Sequence, residues 1–354
     1  MSERLMERIR AYRLMPRRGT AAEGLLIILL AAFFWGIGSA VAGITAHDYM
    51  QSGSLLPAIE IALSNTLGGL VSITSVIMIR RAIRRRRSNV KSIDQLVPLA
   101  WFGYRDLRFL FAGVLKGVSP CLFVAATTYV VASQAMVLQG TYIVWSVILA
   151  LVFLRRRIAP LPALTKAVVL LAGVTLVSGQ TELQLSEQQH LLGSGLGLAA
   201  GLGHAAFLFL WSRVTENLVD LRMQLAATQR LLAIAVLAIL VTASLACILV
   251  SGAWWIPFTH LDRVDIVGQV INGFFAVGSA FVLITVGIGR LRSSGEATGY
   301  ITALGLSFSV PFALVPELII GRFTPTPLQL LGIFLFMLGF IFVGTNSSGA
   351  RRNK

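Results

Sequence analysis

Apolar residues in this chain come in long runs, and basic residues crowd into every second gap between them. A hydrocarbon core about 30 Å thick takes roughly 20 apolar residues per helix, and most of the runs reach that length. The spans are 24–44, 55–79, 109–131, 134–154, 163–180, 193–212, 225–250, 266–289, 297–320 and 327–345. The pattern predicts an all-α membrane protein of ten transmembrane helices. Composition agrees: with 56% hydrophobic residues and a mean hydropathy of +0.80, no ordinary water-facing surface covers the apolar side chains.

A net charge of +15 and a pI near 11.1 suggest nucleic acid in a soluble protein. Here the placement of the charge decides otherwise. With the N-terminus in the cytoplasm, nearly all of the 30 Lys and Arg fall in cytoplasmic segments. The exceptions are Arg263 and Arg322 in outside loops, and Lys116, Lys166 and Arg230 within spans. The positive-inside rule therefore puts both termini in the cytoplasm, with an even number of helices. Basic flanks meeting anionic headgroups account for the pI without nucleic acid. Cys121 and Cys247 both lie in apolar spans, so neither a disulfide framework nor a zinc site is expected. Residues 1–23 are basic and polar, and the run from Gly24 is too long for a signal-peptide core, so it reads as a retained first helix. A bacterial inner membrane is the default location.

The spans divide five and five about the acidic outside loop TELQLSEQQHLLG, and an odd number per half makes the second half enter the membrane in the opposite sense. Two inverted-topology five-helix repeats are expected, 24–180 and 193–345, between a basic N-terminal segment 1–23 and a basic tail 346–354. Three matches occur in the same order: AAFFWG (31–36) with AAGLGH (199–204), VVASQAMVL (130–138) with RSSGEATGYI (292–301), and AVVLLAGVTLVSG (167–179) with GIFLFMLGFIFVG (332–344). The loop 80–108 carries RRAIRRRR, a cytoplasmic anchor, then Trp101, Phe102 and Tyr104 among polar residues, a segment suited to the membrane interface. Gly193, Gly197, Gly201 and Ala205 recur every four residues on span six, Gly36, Gly38 and Ala40 thin span one, and Gly68 and Gly69 thin span two. In lipid, close approach through such small residues supplies packing energy, and the same faces also let helices rock.

These residues resemble the drug/metabolite transporter superfamily in its EamA-type ten-helix form. The likeness runs from about Gly24 to Gly344. It is carried by LLAAFFWG opening span one, GRLRSSGEATGYI joining spans eight and nine, and TPLQLLGIFLFMLGFIFVG as span ten. The resemblance implies a small-molecule carrier with a central cavity between two repeats, and export as its direction. Family members usually end the fourth helix of each repeat with Gly-Glu; here those places read Leu154-Arg155-Arg156 and Gly321-Arg322, so no role for that Glu is carried over.

An ionisable residue inside a span is costly, by about 2.5 kcal/mol or more at the centre, and is a functional candidate by default. Four qualify: Glu60, Lys116, Arg230 and Glu317. At 1.5 Å rise per residue, Glu60 sits about 8 Å and Glu317 about 5 Å inside the outer ends of their spans, and Lys116 and Arg230 about 10 and 8 Å inside the cytoplasmic ends. For Lys116 and Glu317 snorkelling to an interface is the simpler reading. Aligning LPAIEIAL (56–63) with LAATQRLL (225–232) sets Glu60 beside Gln229–Arg230. An inverted pseudo-twofold then places an acidic and a basic group at opposite mouths of one cavity, as a charge gate or as interhelical salt bridges. His204 follows the glycine face of span six at mid-membrane and could carry a coupling proton or simply donate a hydrogen bond. Trp35, Gln139, Tyr142, Trp145, Asn272 and Tyr300 add the aromatic and amide groups that a mostly apolar small-molecule cavity needs.

No HExxH, GxSxG, phosphate loop or Cys cluster occurs, and the glycine clusters are helical, so neither an enzyme, a metal site nor a cofactor is expected. The expectation is a secondary transporter working by alternating access on an amino-acid-like or other small polar or amphipathic metabolite. It is embedded in the lipid bilayer, as monomer or dimer. An exchanger of anionic phosphorylated metabolites or sugars, using Lys116, Arg230 and His204 to bind the anion, is the alternative within transport. A non-transporting scaffold or lipid-handling protein is the alternative outside it.

Overall fold

The computed structural model describes residues 21–49, 55–87, 107–142, 187–215, 221–252, 254–294, 308–321 and 326–345, with 144–145, 148–149, 169, 172–173 and 176. The regular structure among them is helical. The first half gives α1 (Ala21–Asp48), α2 (Leu56–Arg87), α3 (Leu107–Thr127) and α4 (Ala132–Gly140). The second gives α5 (Glu187–Thr215), α6 (Leu221–Ser251), a rod made of α7 (Arg263–Gly273), a π-helical turn (Phe274–Ser279) and α8 (Ala280–Ser294), then α9 (Ser309–Ile319) and α10 (Pro327–Thr345). Most of the predicted fifth span, the start of the ninth, residues 1–20, 88–106 and 346–354, and Tyr300 lie outside the described residues.

Six helices among the described residues, α1, α2, α3, α5, α6 and the α7–α8 rod, are long and apolar enough to cross a membrane; α9 is a shorter apolar helix. This is a multi-pass membrane protein. Its helices are apolar on all faces because they are buried on one side and meet lipid on the other. Leu26, Met78, Leu237 and Phe275 are exposed, whereas Ile28, Ile73, Leu231 and Ala280 are fully buried. Gly252 and Gly321 adopt positive φ just past the ends of α6 and α9, the left-handed conformation that closes a helix. Inside α3, Pro120 has no N–H for the Lys116 carbonyl, and its ring crowds that carbonyl.

Small residues set which helices touch and in which sense. Gly193 on α5 faces Tyr129 while Gly203 faces Ser119, so α3 and α5 run antiparallel. Gly38 on α1 faces Ala276 while Gly287 on α8 faces Ile28, so α1 and the rod are antiparallel too. Gly113 and Gly117 on α3 meet Ile234 and Ala235 on α6, a parallel pair. Gly273 and Gly278 on the rod meet Asn65 and Ser72 on α2, also parallel. α4 packs on α5, α9 on α1, α2 on α6 and α4 on α9. The π turn explains the spacing on the rod. Five α-helical residues would carry Gly278 well off the face of Gly273, and one extra residue in the turn brings both glycines back onto α2. The largest buried cluster joins both halves, with Ile61, Phe123 and Leu138 from the first and Ala205, Val310 and Leu314 from the second.

Candidate functional site

A cavity of about 60 Å³ lies among α1, α2, α3, α4, α5 and the rod. That volume holds a few water molecules or a few heavy atoms. Its walls are mostly apolar and aromatic, with a few polar groups, as small-molecule sites are.

One wall is built around Lys116 of α3. The side chain is 4% exposed and lines the cavity, so it does not snorkel as the sequence suggested. Its ammonium lies 4.8 Å from the ring centre of Trp35, 4.9 Å from that of Phe281 and 5.7 Å from that of Phe207. All three fall within the reach of cation–π attraction, about 0.5–2 kcal/mol each. That is of the same order as the cost of a lysine at the centre of a transmembrane helix, about 2.5–3.5 kcal/mol. The aromatic cage thus makes the position tolerable without an acid. Among the described residues no carboxylate lies within ion-pair distance of Lys116, and none lines the cavity. His204 of α5 belongs to the same wall, its ring 5.4 Å from Trp35, 5.0 Å from Tyr142 and 5.6 Å from Phe207, centre to centre.

A further part of the lining belongs to an amide network across three helices. Asn65 Nδ2 donates to Gln269 Oε1 at 2.9 Å, and Gln269 Nε2 donates to Thr45 Oγ1 at 2.8 Å. Asn272 Nδ2 donates to the Gly38 carbonyl at 2.9 Å and to Asn65 Oδ1 at 3.0 Å. Asn65 and Asn272 line the cavity, and their mutual bonds fix the amide orientations in a place where lipid offers no partner.

The other sequence candidates fall at different places. Trp35, Gln139, His204 and Asn272 line the cavity; Tyr142 is buried against His204, and Trp145 packs partly buried on the central core. Gln229 donates to Thr74 Oγ1 at 2.8 Å and ties α6 to α2, while Arg230 is buried; neither is among the described lining residues. Glu60 is fully buried but also off that lining. Its carboxylate accepts the backbone N–H groups of Thr259 at 3.2 Å and His260 at 3.1 Å, and lies 2.8 Å from His260 Nδ1. Glu60 therefore does not pair with Arg230. It holds the turn before α7, where Phe258 has a φ of 65°, a conformation a bulky residue adopts only under constraint. Glu317 is likewise buried by protein: it is 2% exposed and accepts the N–H of Ala132 at 2.6 Å, at the first turn of α4. A carboxylate there answers unbonded amides and the positive end of the helix dipole.

Sequence reasoning missed Phe207, Phe281, Asn65 and Gln269. The two amides were visible as polar residues inside apolar runs. The two phenylalanines were not, because nothing in an apolar run marks which ring will face a lysine elsewhere in the chain.

Among known proteins, the model of the EamA-like transporter family matches residues 22–179. No curated protein matches the chain. A solved crystal structure of a protein 16% identical in sequence superposes with a TM-score of 0.56, covering 94% of this chain and 98% of that one. At that identity the likeness speaks to the fold alone.

Proposed function

We propose, from the match of residues 22–179 to the model of the EamA-like transporter family, that the whole chain is a ten-helix secondary transporter of two inverted repeats. It carries a small organic metabolite through the central cavity by alternating access. The observation that carries this reading is the cavity itself, walled by helices of both halves and lined by Trp35, Lys116, His204 and Asn272.

Helix pairing supports the repeat. Exchanging the halves turns the antiparallel pair α3–α5 into the antiparallel pair of α1 with the rod. It likewise turns the parallel pair α3–α6 into the parallel pair of the rod with α2, and α4–α5 into α9–α1, and it returns α2–α6 and α4–α9 to themselves. The contacts Gly113–Ile234 and Gly273–Asn65 fall in the register that aligns Glu60 with Gln229. A device built this way opens to one side by rocking one half against the other. Charge placement favours cytoplasmic termini, and a bacterial inner membrane is the default location. Export follows from the family resemblance.

The test is transport with one mouth held shut. Asp262 N–H donates to the Tyr49 hydroxyl, so these residues close one end of the α1–rod seam. In a background of Cys121→Ala and Cys247→Ala, Tyr49→Cys and Asp262→Cys are bridged by a bifunctional thiol reagent in proteoliposomes. Uptake of labelled amino acids and small organic acids is then followed. Alternating access predicts that bridging stops uptake and that the unbridged pair transports. Undiminished uptake by the bridged protein would reject alternating access at this seam; no uptake of any solute by the unbridged protein favours a scaffold.

A further inference from the structure

Lys116 is a buried ammonium with three aromatic rings about it and no acid of the protein within reach among the described residues, and it lines a cavity whose described lining holds no carboxylate. We propose that the cavity takes a small organic monoanion, its carboxylate paired with Lys116 and its apolar or aromatic body laid along Trp35 and Phe281. The proposal rests on the transport reading for the purpose of the site, and it adds the class of the cargo.

Charge bookkeeping favours an anion of one charge. In a low-dielectric site an unpaired cation attracts a counter-charge strongly, because little else screens it. A cationic solute meets repulsion from Lys116. A neutral solute leaves the ammonium as it was. A phosphate dianion finds only one formal cation on the described lining and stays half compensated in an apolar surround. His204, on the same wall and without a hydrogen-bond partner among the described residues, offers a ring nitrogen beside the lysine for a second carboxylate oxygen. The Asn65–Asn272 network also lines the cavity but carries no formal charge, and most of its N–H groups are given to Asn65 Oδ1, Gln269 Oε1 and the Gly38 carbonyl. Recognition of the charged end therefore falls to the Lys116 wall, and the rings that hold the ammonium supply flat apolar surface for the rest of the ligand.

Four probes of one shape and different charge test this: benzoate, benzamide, benzylamine and phenyl phosphate. Each is added to the full chain in phosphatidylcholine nanodiscs, and the melting temperature and tryptophan fluorescence are followed, since a ligand of the folded state raises apparent stability. Benzoate is expected to raise the melting temperature and to bind the wild-type protein roughly tenfold or more tightly than the other three. Its effect should vanish in Lys116→Gln and in Lys116→Met. The discrimination by charge is read on the wild-type protein, so it stands even if a variant fails to fold. Equal or tighter binding of benzamide or benzylamine, preference for phenyl phosphate, or a benzoate effect that survives both substitutions would overturn the proposal. Labelled uptake separates the two readings. Lys116-dependent benzoate binding without uptake keeps the anion site and removes the transport function. Uptake of benzylamine or benzamide in place of benzoate keeps transport and removes the anion class.

Discussion

The carboxylate of Glu60, fully buried in α2, lies 2.8 Å from Nδ1 of His260, a residue 200 positions further along the chain. With the backbone N–H groups of Thr259 and His260 on the same carboxylate, the contact fastens the turn before α7 to the N-terminal end of α2. An in-span acid that looked like half of a charge gate is here a clamp on backbone amides.

Removing it should cost stability. Glu60→Ala leaves two N–H groups to find water at a partly exposed turn, a loss of about 1–3 kcal/mol. Glu60→Gln keeps an acceptor and should lose less. Chemical denaturation in nanodiscs measures both. Because Glu60 does not pair with Arg230, Glu60→Arg combined with Arg230→Glu should be at least as damaged as the worse single variant; recovery in the double variant would restore the gate reading.

Glu317 makes a second prediction of the same kind. Its carboxylate meets the Ala132 amide at the positive end of α4. Glu317→Gln retains the acceptor and loses the charge–dipole attraction, up to about 2 kcal/mol in a partly buried setting; Glu317→Ala should lose more. Melting temperatures in the order wild type, Gln, Ala are expected, and equal values for all three would remove the capping role.

How much of this was legible depends on what kind of partner a residue meets. The glycine ladder on span six was readable, and Gly193, Gly197 and Gly201 do press on residues 129–141. Trp35, Gln139, His204 and Asn272 were readable as cavity groups because polar or amphipathic side chains inside apolar runs need a reason to be there. Glu60 and Glu317 were readable as exceptional but not as clamps, since their partners are backbone amides that leave no mark in a sequence. Lys116 was misread for a related reason: its tolerance comes from Trp35, Phe207 and Phe281, brought in from three other helices. Local depth along a span argued for snorkelling, and only the tertiary arrangement supplies the cage.

Tyr49 gives a pH prediction outside the spans. Burial first, then donation of its hydroxyl to Asp265 at 2.5 Å, push its phenol above the usual value of 10.0. Above pH 10 the folded state then holds a proton that the unfolded chain has released, so stability is whole below that pH and falls as pH rises toward the shifted value. Tyr49→Phe removes this alkaline loss while giving up the Asp265 bond at neutral pH. Melting curves between neutral and alkaline pH should converge for the two proteins; parallel curves would show that the phenol does not titrate in this way.

Glycine positions allow a matched pair. A Cβ at Gly68 would lie 2.0 Å from the Val270 carbonyl oxygen, whereas one at Gly195 meets nothing within 4 Å. Gly68→Ala should push α2 off α7 and cost about 1–3 kcal/mol. Gly195→Ala should be neutral or gain up to about 1 kcal/mol from helix propensity. Similar melting temperatures for the two variants would mean that the α2–α7 seam yields easily.

The π turn offers the sharpest test of register. It holds one residue more than an α-helix needs between Gly273 and Gly278, and it returns both glycines to α2. Deleting Phe275, an exposed residue of that turn, should let the rod become a continuous α-helix. Gly278 would still face α2, and Phe281 would still face Lys116, because the lost residue is the extra one. Deleting Val267, an equally exposed residue of α7, instead turns the segment before it by about 100° against the rest of the rod. That swings Asp265 away from Tyr49 and breaks the seam between α1 and the rod. The Phe275 deletion should therefore yield folded protein with a modest drop in melting temperature, and the Val267 deletion should not. If the Phe275 deletion folds but no longer transports, the extra residue serves motion, since a π turn can slide along a helix where an α-helix cannot. If it fails to fold, as the Val267 deletion should, the rod's register is set by other contacts, and the glycine argument fails.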